Sequence, residues 1–326
     1  MIICLCSAKA ICQEKPSPWF YAACRSGIIG ITPRCGQRKP DVHLTPPGEA
    51  MHSDELNTHH GIEQQLMFIT GEHDVTLINI SNAHATATIR LQGAQVISWK
   101  PLREEKVGVK ASEADTPDYH DEVIWVSEQA DFTPGKSVRG GIPICWPWFG
   151  AHKTEKDYPA HGFARTVLWQ INSTQTLDDG STRVSFTLEP DADTAAMWPP
   201  QTSVLLHITV GRKLELELVT HNNGEAAINI SQAFHTYFNV GDVRQAQLHG
   251  LEDTDYLDKL DGFSRKHQHG MITVNEEVDR VYLNTATDCV LEDRSLQRNI
   301  IIIKCGSHST VVWNPWRQTA EKMGDL

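Results

Sequence analysis

From Leu66 onward, apolar and polar residues alternate in short bursts. Residues 75–80, 84–91 and 94–99 each show the near period of two expected of strands that bury one face, and turn residues such as Ser81-Asn82 and Gly93 separate them. The pattern returns at residues 123–126, 183–188, 204–210, 214–219, 278–282, 299–304 and 310–313. In residues 214–219 the leucines share one face and Glu215 and Glu217 the other, so those carboxylates are read as solvated. No long amphipathic helix and no internal repeat interrupts the series. Many short strands at this spacing, joined by Gly, Asn and Asp turns, predict an all-β fold, an antiparallel β-sandwich running as one domain from Leu66 to Trp316.

Three stretches carry candidate chemistry. Residues 231–242 read as a strand that places His235 among aromatic and β-branched neighbours, with Ala233, His235 and Tyr237 on one face and Gln232, Phe234, Thr236 and Phe238 on the other. Such a histidine either lines a pocket or is a hydrogen-bonded structural residue. Residues 135–150 contain Pro143 and Pro147, which forbid a regular central strand and predict an ordered loop. Small residues around Arg139 let backbone approach a ligand, and Trp146, Trp148 and Phe149 offer flat apolar surfaces that either face a ligand or cap the core. His161-Gly162-Phe163-Ala164-Arg165 sets an imidazole and a guanidinium around one turn, aimed at a common ligand or else left as a solvated His and a surface ion pair.

Composition narrows the partners. The 326-residue chain carries a formal net charge of -12, which opposes polyanions, and no nucleic acid partner is expected, although local arginines could hold one phosphate. No apolar run approaches the roughly 18 residues of a membrane helix, so no membrane partner is expected either. Cys4, Cys6, Cys12, Cys24 and Cys35 crowd the start of the chain at spacings that match no ordinary zinc pattern. Residues 1–60 are read as a disordered leader or an overextended start, with Met51 a plausible initiator, and residues 61–326 as the domain. Cys145, Cys289 and Cys305 suggest reduced thiols and a cytoplasmic location. Glycine-rich phosphate loops, nucleophile elbows and Cys-x-x-Cys pairs are missing, which leaves nucleotide, acyl-transfer and thiol-redox chemistry without support.

Taken together, the Arg139 loop, His161-Gly162-Phe163-Ala164-Arg165, the His235 strand, Val278-Asp279-Arg280 and Val312-Trp313-Asn314-Pro315-Trp316 resemble the hexose-6-phosphate mutarotases, the glucose-6-phosphate 1-epimerases of the aldose 1-epimerase-like group. The likeness spans about Leu66 to Leu326 and keeps the family's motif order. It implies a galactose-mutarotase-like sandwich that interconverts the anomers of a hexose 6-phosphate without metal or organic cofactor; separately, a monomer is expected. By the same resemblance His235 is the general acid at the ring oxygen, His161 supports the sugar, Asp279 binds hydroxyls, and Arg139 and Arg165 face the phosphate. Lys136 is a further phosphate candidate, and Trp146 belongs to the aromatic wall of the sugar site. The family's general base, a Glu on a strand after the Asn-Pro motif, has no counterpart: Glu321 lies too close behind Trp316 to match. The domain is therefore expected to lack its last strand and to leave an edge or core face uncovered. The alternative function is a phosphosugar-binding module without turnover. A zinc ion between His161 and His235 is not expected, because the spacing suggests no third ligand.

Overall fold

The computed structural model describes residues 2–7, 52–103 and 118–326. The chain runs through β1 (Ile2–Ser7), α1 (Ser53–His60), β2 (Leu66–Thr70), β3 (Thr76–Ser81), β4 (Ala85–Arg90), β5 (Gln95–Pro101), β6 (Ile144–Cys145), β7 (Gln170–Thr176) and β8 (Thr182–Leu188). Next come α2 (Ala192–Met197), β9 (Thr202–Val210), β10 (Leu214–Asn222), β11 (Ala233–Phe234), β12 (Thr236–Asn239), β13 (Ala246–His249), β14 (Asp255–Asp258), β15 (Ser264–His267) and β16 (Ile272–Thr273). The last elements are β17 (Val278–Leu283), β18 (Cys289–Asp293), β19 (Arg298–Ile302), β20 (Ser309–Asn314) and α3 (Trp316–Met323).

All ladders between these strands are antiparallel, as the turn spacing predicts. Two four-stranded meanders, β2-β3-β4-β5 and β10-β9-β8-β7, supply much of the core. Their alternation is the cause: Ile78 and Ile80 of β3, Val184 and Phe186 of β8, and Leu206 and Ile208 of β9 are all buried. Each such side chain contributes about 1.5–3 kcal/mol relative to exposure. A third sheet runs β16-β13-β18-β19, and β11 pairs with β6. The six-stranded sheet β12-β1-β20-β17-β14-β15 carries the chemistry described below. No helix among the described residues is long and apolar enough to cross a membrane.

Three expectations change. Residues 1–60 are not wholly a leader: α1 buries Leu56, and the Asn57 side chain bonds the backbone of Phe68 in both directions, at 2.7 and 2.8 Å, fastening the helix to β2. Strand β1 pairs on one side with β12 and on the other with β20, so backbone donors and acceptors of both neighbours are satisfied where an uncovered edge was expected. Residues 123–126 make isolated bridges, Ile124 to Phe238 and Val126 to Gly140, rather than a strand. Met51, Cys12, Cys24 and Cys35 lie outside the described residues.

Candidate active site

The strand predicted over residues 231–242 is broken in two by its histidine. The His235 N–H leaves the ladder to donate to the Pro143 carbonyl at 2.9 Å, between β11 and β12. The predicted faces hold: Phe238 is in the main core, whereas Ala233 packs with Cys145, Val311 and Trp313. Tyr237 N–H donates to Gly141 O at 3.0 Å, and Gly141 N–H donates to Trp125 O at 2.7 Å. A Cβ on Gly141 would come within 2.6 Å of the Val96 carbonyl, and its φ is +70°, so only glycine suits this crossing. The stitching brings Arg139 onto Tyr237, where Nη1 donates to the hydroxyl at 3.2 Å.

The second wall is built around the carbonyl of Trp146. It accepts from Phe163 N–H at 3.1 Å and Ala164 N–H at 3.3 Å, and a Cβ on Gly162 would lie 2.0 Å from it. His161 is held in the left-handed region, φ 67°, by its N–H to Gly150 O at 2.7 Å. In return the Gly150 N–H donates to His161 Nδ1 at 3.2 Å. Nδ1 is thus an acceptor, and the ring proton belongs on Nε2. Burial first, then the positive charges of Arg165, His235, Lys259 and Arg139, push the His161 imidazole down to about 3, so it is a neutral donor at physiological pH.

These walls meet. The His161 and His235 ring centroids are 5.8 Å apart, His235 stacks on Tyr237 at 4.8 Å, Trp313 lies 6.1 Å from His235, and Phe149 stands 4.8 Å from His161. Across the sheet, Trp313 of β20 is in register with Asp279 of β17. Asp279 Oδ2 accepts from Lys259 Nζ at 2.6 Å, while its Oδ1 is buried with no partner. Burial raises the Asp279 pKa against the opposing pull of Lys259. Arg139 Nε donates to Asp325 Oδ2 at 3.1 Å, leaving Asp325 Oδ1 buried and unmatched. Arg165 gives Nη2 to the Ala160 carbonyl at 2.8 Å, and its Nε is also buried without an acceptor.

The structure brings His161, His235, Arg139, Arg165 and Asp279 near one another and leaves two candidates elsewhere. Trp146 is only 2% exposed. It packs edge-on against Phe163 and Trp198 and donates its indole N–H to Thr220 Oγ1 at 3.1 Å, so it belongs to the core, and Phe149 is the aromatic that faces His161. Lys136 is exposed, its carbonyl is held by Gln92 and Arg90, and its charge acts on Asp131. The lysine found at the site is Lys259, beside the Asp279 carboxylate. Sequence reading missed Lys259 and Asp325 because nothing local marks them. A pocket of about 430 Å³ beside the site is lined by Asp258, Asp261, Glu276, Glu277, Arg280 and Trp316; rich in carboxylates, it suits an anionic ligand poorly.

A model of one sequence family, Aldose 1-epimerase, matches residues 76–325, nearly all of the strand-bearing chain. The chain belongs to the aldose 1-epimerase family. Within it, an Escherichia coli relative that carries the provisional name glucose-6-phosphate 1-epimerase is 36% identical over 255 residues, covering 78% of this chain and 79% of its own length. The crystal structure of a provisionally named mutarotase from Salmonella typhimurium superposes with a TM-score of 0.71 at 33% identity, over 82% of this chain and 83% of that one. A galactose mutarotase related enzyme from Lactobacillus acidophilus, 14% identical with a TM-score of 0.51 over 72% of this chain and 83% of its own, shares the fold. The epimerase family and its mutarotase-like fold thus coincide with the expectation drawn from the motifs.

Proposed function

We propose that this epimerase interconverts the α and β anomers of a hexose 6-phosphate, with glucose 6-phosphate the first candidate. The observation that carries the reading is the set of cations that act on His161, namely Arg139, Arg165 and Lys259, of which Arg165 keeps a buried N–H without an acceptor. A dianionic phosphate satisfies such donors, and guanidinium presents them in pairs.

The chemistry assigned to these groups balances in two proton transfers. The anomeric hydroxyl gives its proton to the unpartnered Oδ1 of Asp279. The C1–O5 bond breaks, and its electron pair stays on the ring oxygen, which takes a proton from His235 acting as the general acid. Rotation about C1–C2 presents the other face of the aldehyde, and closure reverses both transfers. Neutral His161 donates from Nε2 to a sugar hydroxyl throughout, and Phe149 offers an apolar face to the ring.

A second reading, retention of a phosphosugar without turnover, is favoured by the 2.6 Å Lys259–Asp279 ion pair, which occupies the carboxylate that must act as base. Exchange NMR on equilibrated glucose 6-phosphate, run beside a binding titration, separates the two. Exchange cross-peaks above the buffer rate support the epimerase. Saturable binding without exchange supports retention, and neither signal removes both.

A further inference from the structure

The geometry points to a binding site for a divalent first-row transition metal of the zinc class at the open edge of the six-stranded sheet, formed by Asp253, His267 and His269. One ligand atom from each of the three lies within 4.8 Å of the others. Strand β15 is the last of its sheet, bonded only to β14, so this edge faces solvent.

The cluster is more than a chance meeting of surface side chains, because both histidines flank an anchored residue. Gln268 is 8% exposed. Its Oε1 accepts from Tyr282 Oη at 2.8 Å and Arg280 Nη1 at 3.3 Å, and its Nε2 donates to the carbonyls of His269 and Gly270. Gln268 is turned inward while His267 and His269 on either side of it are exposed, their ring centroids 5.0 Å apart. Asp253 is fixed from the facing chain. Its φ is 56°, and its N–H donates to the Gln268 carbonyl at 3.0 Å.

One histidine is already oriented as a ligand would be. His267 Nδ1 is 2.8 Å from Asp255 Oδ1, and Asp255 Oδ2 is gripped by Arg265 through Nε at 2.9 Å and Nη2 at 2.6 Å. A carboxylate on one ring nitrogen sets the tautomer and leaves the lone pair on the other, the usual support for a metal-bound imidazole. That other nitrogen, Nε2, stands 3.9 Å from Asp253 Oδ1. Zinc bonds of about 2.0–2.2 Å at a tetrahedral angle bring such atoms to roughly 3.4 Å apart, a closure within reach of exposed side chains. Two imidazoles and a carboxylate suit zinc and leave one position for water. The ion would clip the start of β14 to the end of β15, the hairpin that leads directly into Lys259.

The test uses the full chain without a histidine tag, titrated with Co²⁺ and followed by visible absorbance, then displaced with Zn²⁺. We expect one equivalent of Co²⁺ at this site, affinity reduced at least tenfold in His267→Ala and in His269→Ala, and 10- to 100-fold in Asp255→Asn, with unchanged far-UV circular dichroism. Zn²⁺ should also raise the Tm of the parent by several degrees and that of His267→Ala by none. Failure of the parent to bind, or binding that survives both histidine substitutions and so belongs to the N-terminal cysteines, overturns the proposal.

Discussion

Two pairs of histidines lie at nearly the same separation in this molecule, His161 with His235 at 5.8 Å and His267 with His269 at 5.0 Å, and their surroundings are opposite. The first pair is half-buried and ringed by Arg139, Arg165 and Lys259. The second is exposed, with Asp253 and Asp255 beside it. Burial first, and then a cationic ring, hold His161 neutral, and that ring repels a metal ion, whereas the carboxylates beside His267 attract one. Imidazole chemistry is common to both sites; the charge of the neighbours decides whether an anion or a cation is the fitting ligand.

The sharpest way to break the comparison is to remove the histidine assigned to proton transfer. His235→Asn is expected to lower anomer exchange by about 10²- to 10⁴-fold, measured by exchange NMR, while His267→Ala leaves it within twofold. An equal loss in both would end the division of labour. Next in size is Gly162→Ala, which drives a methyl group into the Trp146 carbonyl at a φ of +71°. A loss on the order of 2–4 kcal/mol is expected in urea unfolding, and a neutral result would mean that the two walls are not locked together. Arg165→Gln should raise KM for glucose 6-phosphate about 10- to 100-fold, the equivalent of a charged hydrogen bond of roughly 1.5–3 kcal/mol, and leave binding of unphosphorylated glucose untouched.

A smaller effect concerns pH. His161 titrates at about 3 in the native chain against an ordinary 6.5, so as pH falls the unfolded chain takes up a proton that the native chain refuses. Its stabilising contribution is whole above about 6.5 and is lost progressively toward about 3. His161→Gln should therefore flatten the fall of Tm with pH in that window; a slope identical to the parent would contradict the neutral assignment. Smallest of all, Glu321→Gln, on the exposed side of α3, should change exchange by less than twofold.

How much of this was legible in the sequence depends on whether local pattern or distant pairing decides each feature. Strands β3, β8, β9 and β10 announce themselves because each buries one face against the core and so alternates. Strand β7, Gln-Ile-Asn-Ser-Thr-Gln-Thr, is polar almost throughout and lies at a sheet edge, so it carries no hydrophobic period to read. β14 and β15 are four residues each and rich in Asp, Lys and Arg; Tyr256 alone of the eight is buried, and ladder bonds and cross-strand ion pairs hold the rest. At the site, His161, His235, Arg139, Arg165 and Asp279 were found through motif order. Trp146 was misplaced because an indole in a loop suits a ligand wall and a core equally well until Thr220, Phe163 and Trp198 are brought around it. Lys259 could not be found at all: its meeting with Asp279 depends on how the β14 hairpin lies against β17.

The placement of β1 between β12 and β20 has a kinetic consequence. Leu5 pairs with Thr236 on one side and Val312 on the other, so the seam that unites the His235 strand with the Trp313 strand closes only when β1 meets strands far along the chain. Contacts of such long sequence separation carry the heaviest loop-closure cost and form late. In refolding followed by pulsed hydrogen exchange, the amides of β12 and β20 that face β1 should gain protection after those of the β2–β5 and β7–β10 meanders. The seam beside the histidine pair would then be the last part of the molecule to solidify, and until it does, two bare strand edges stand open to other chains.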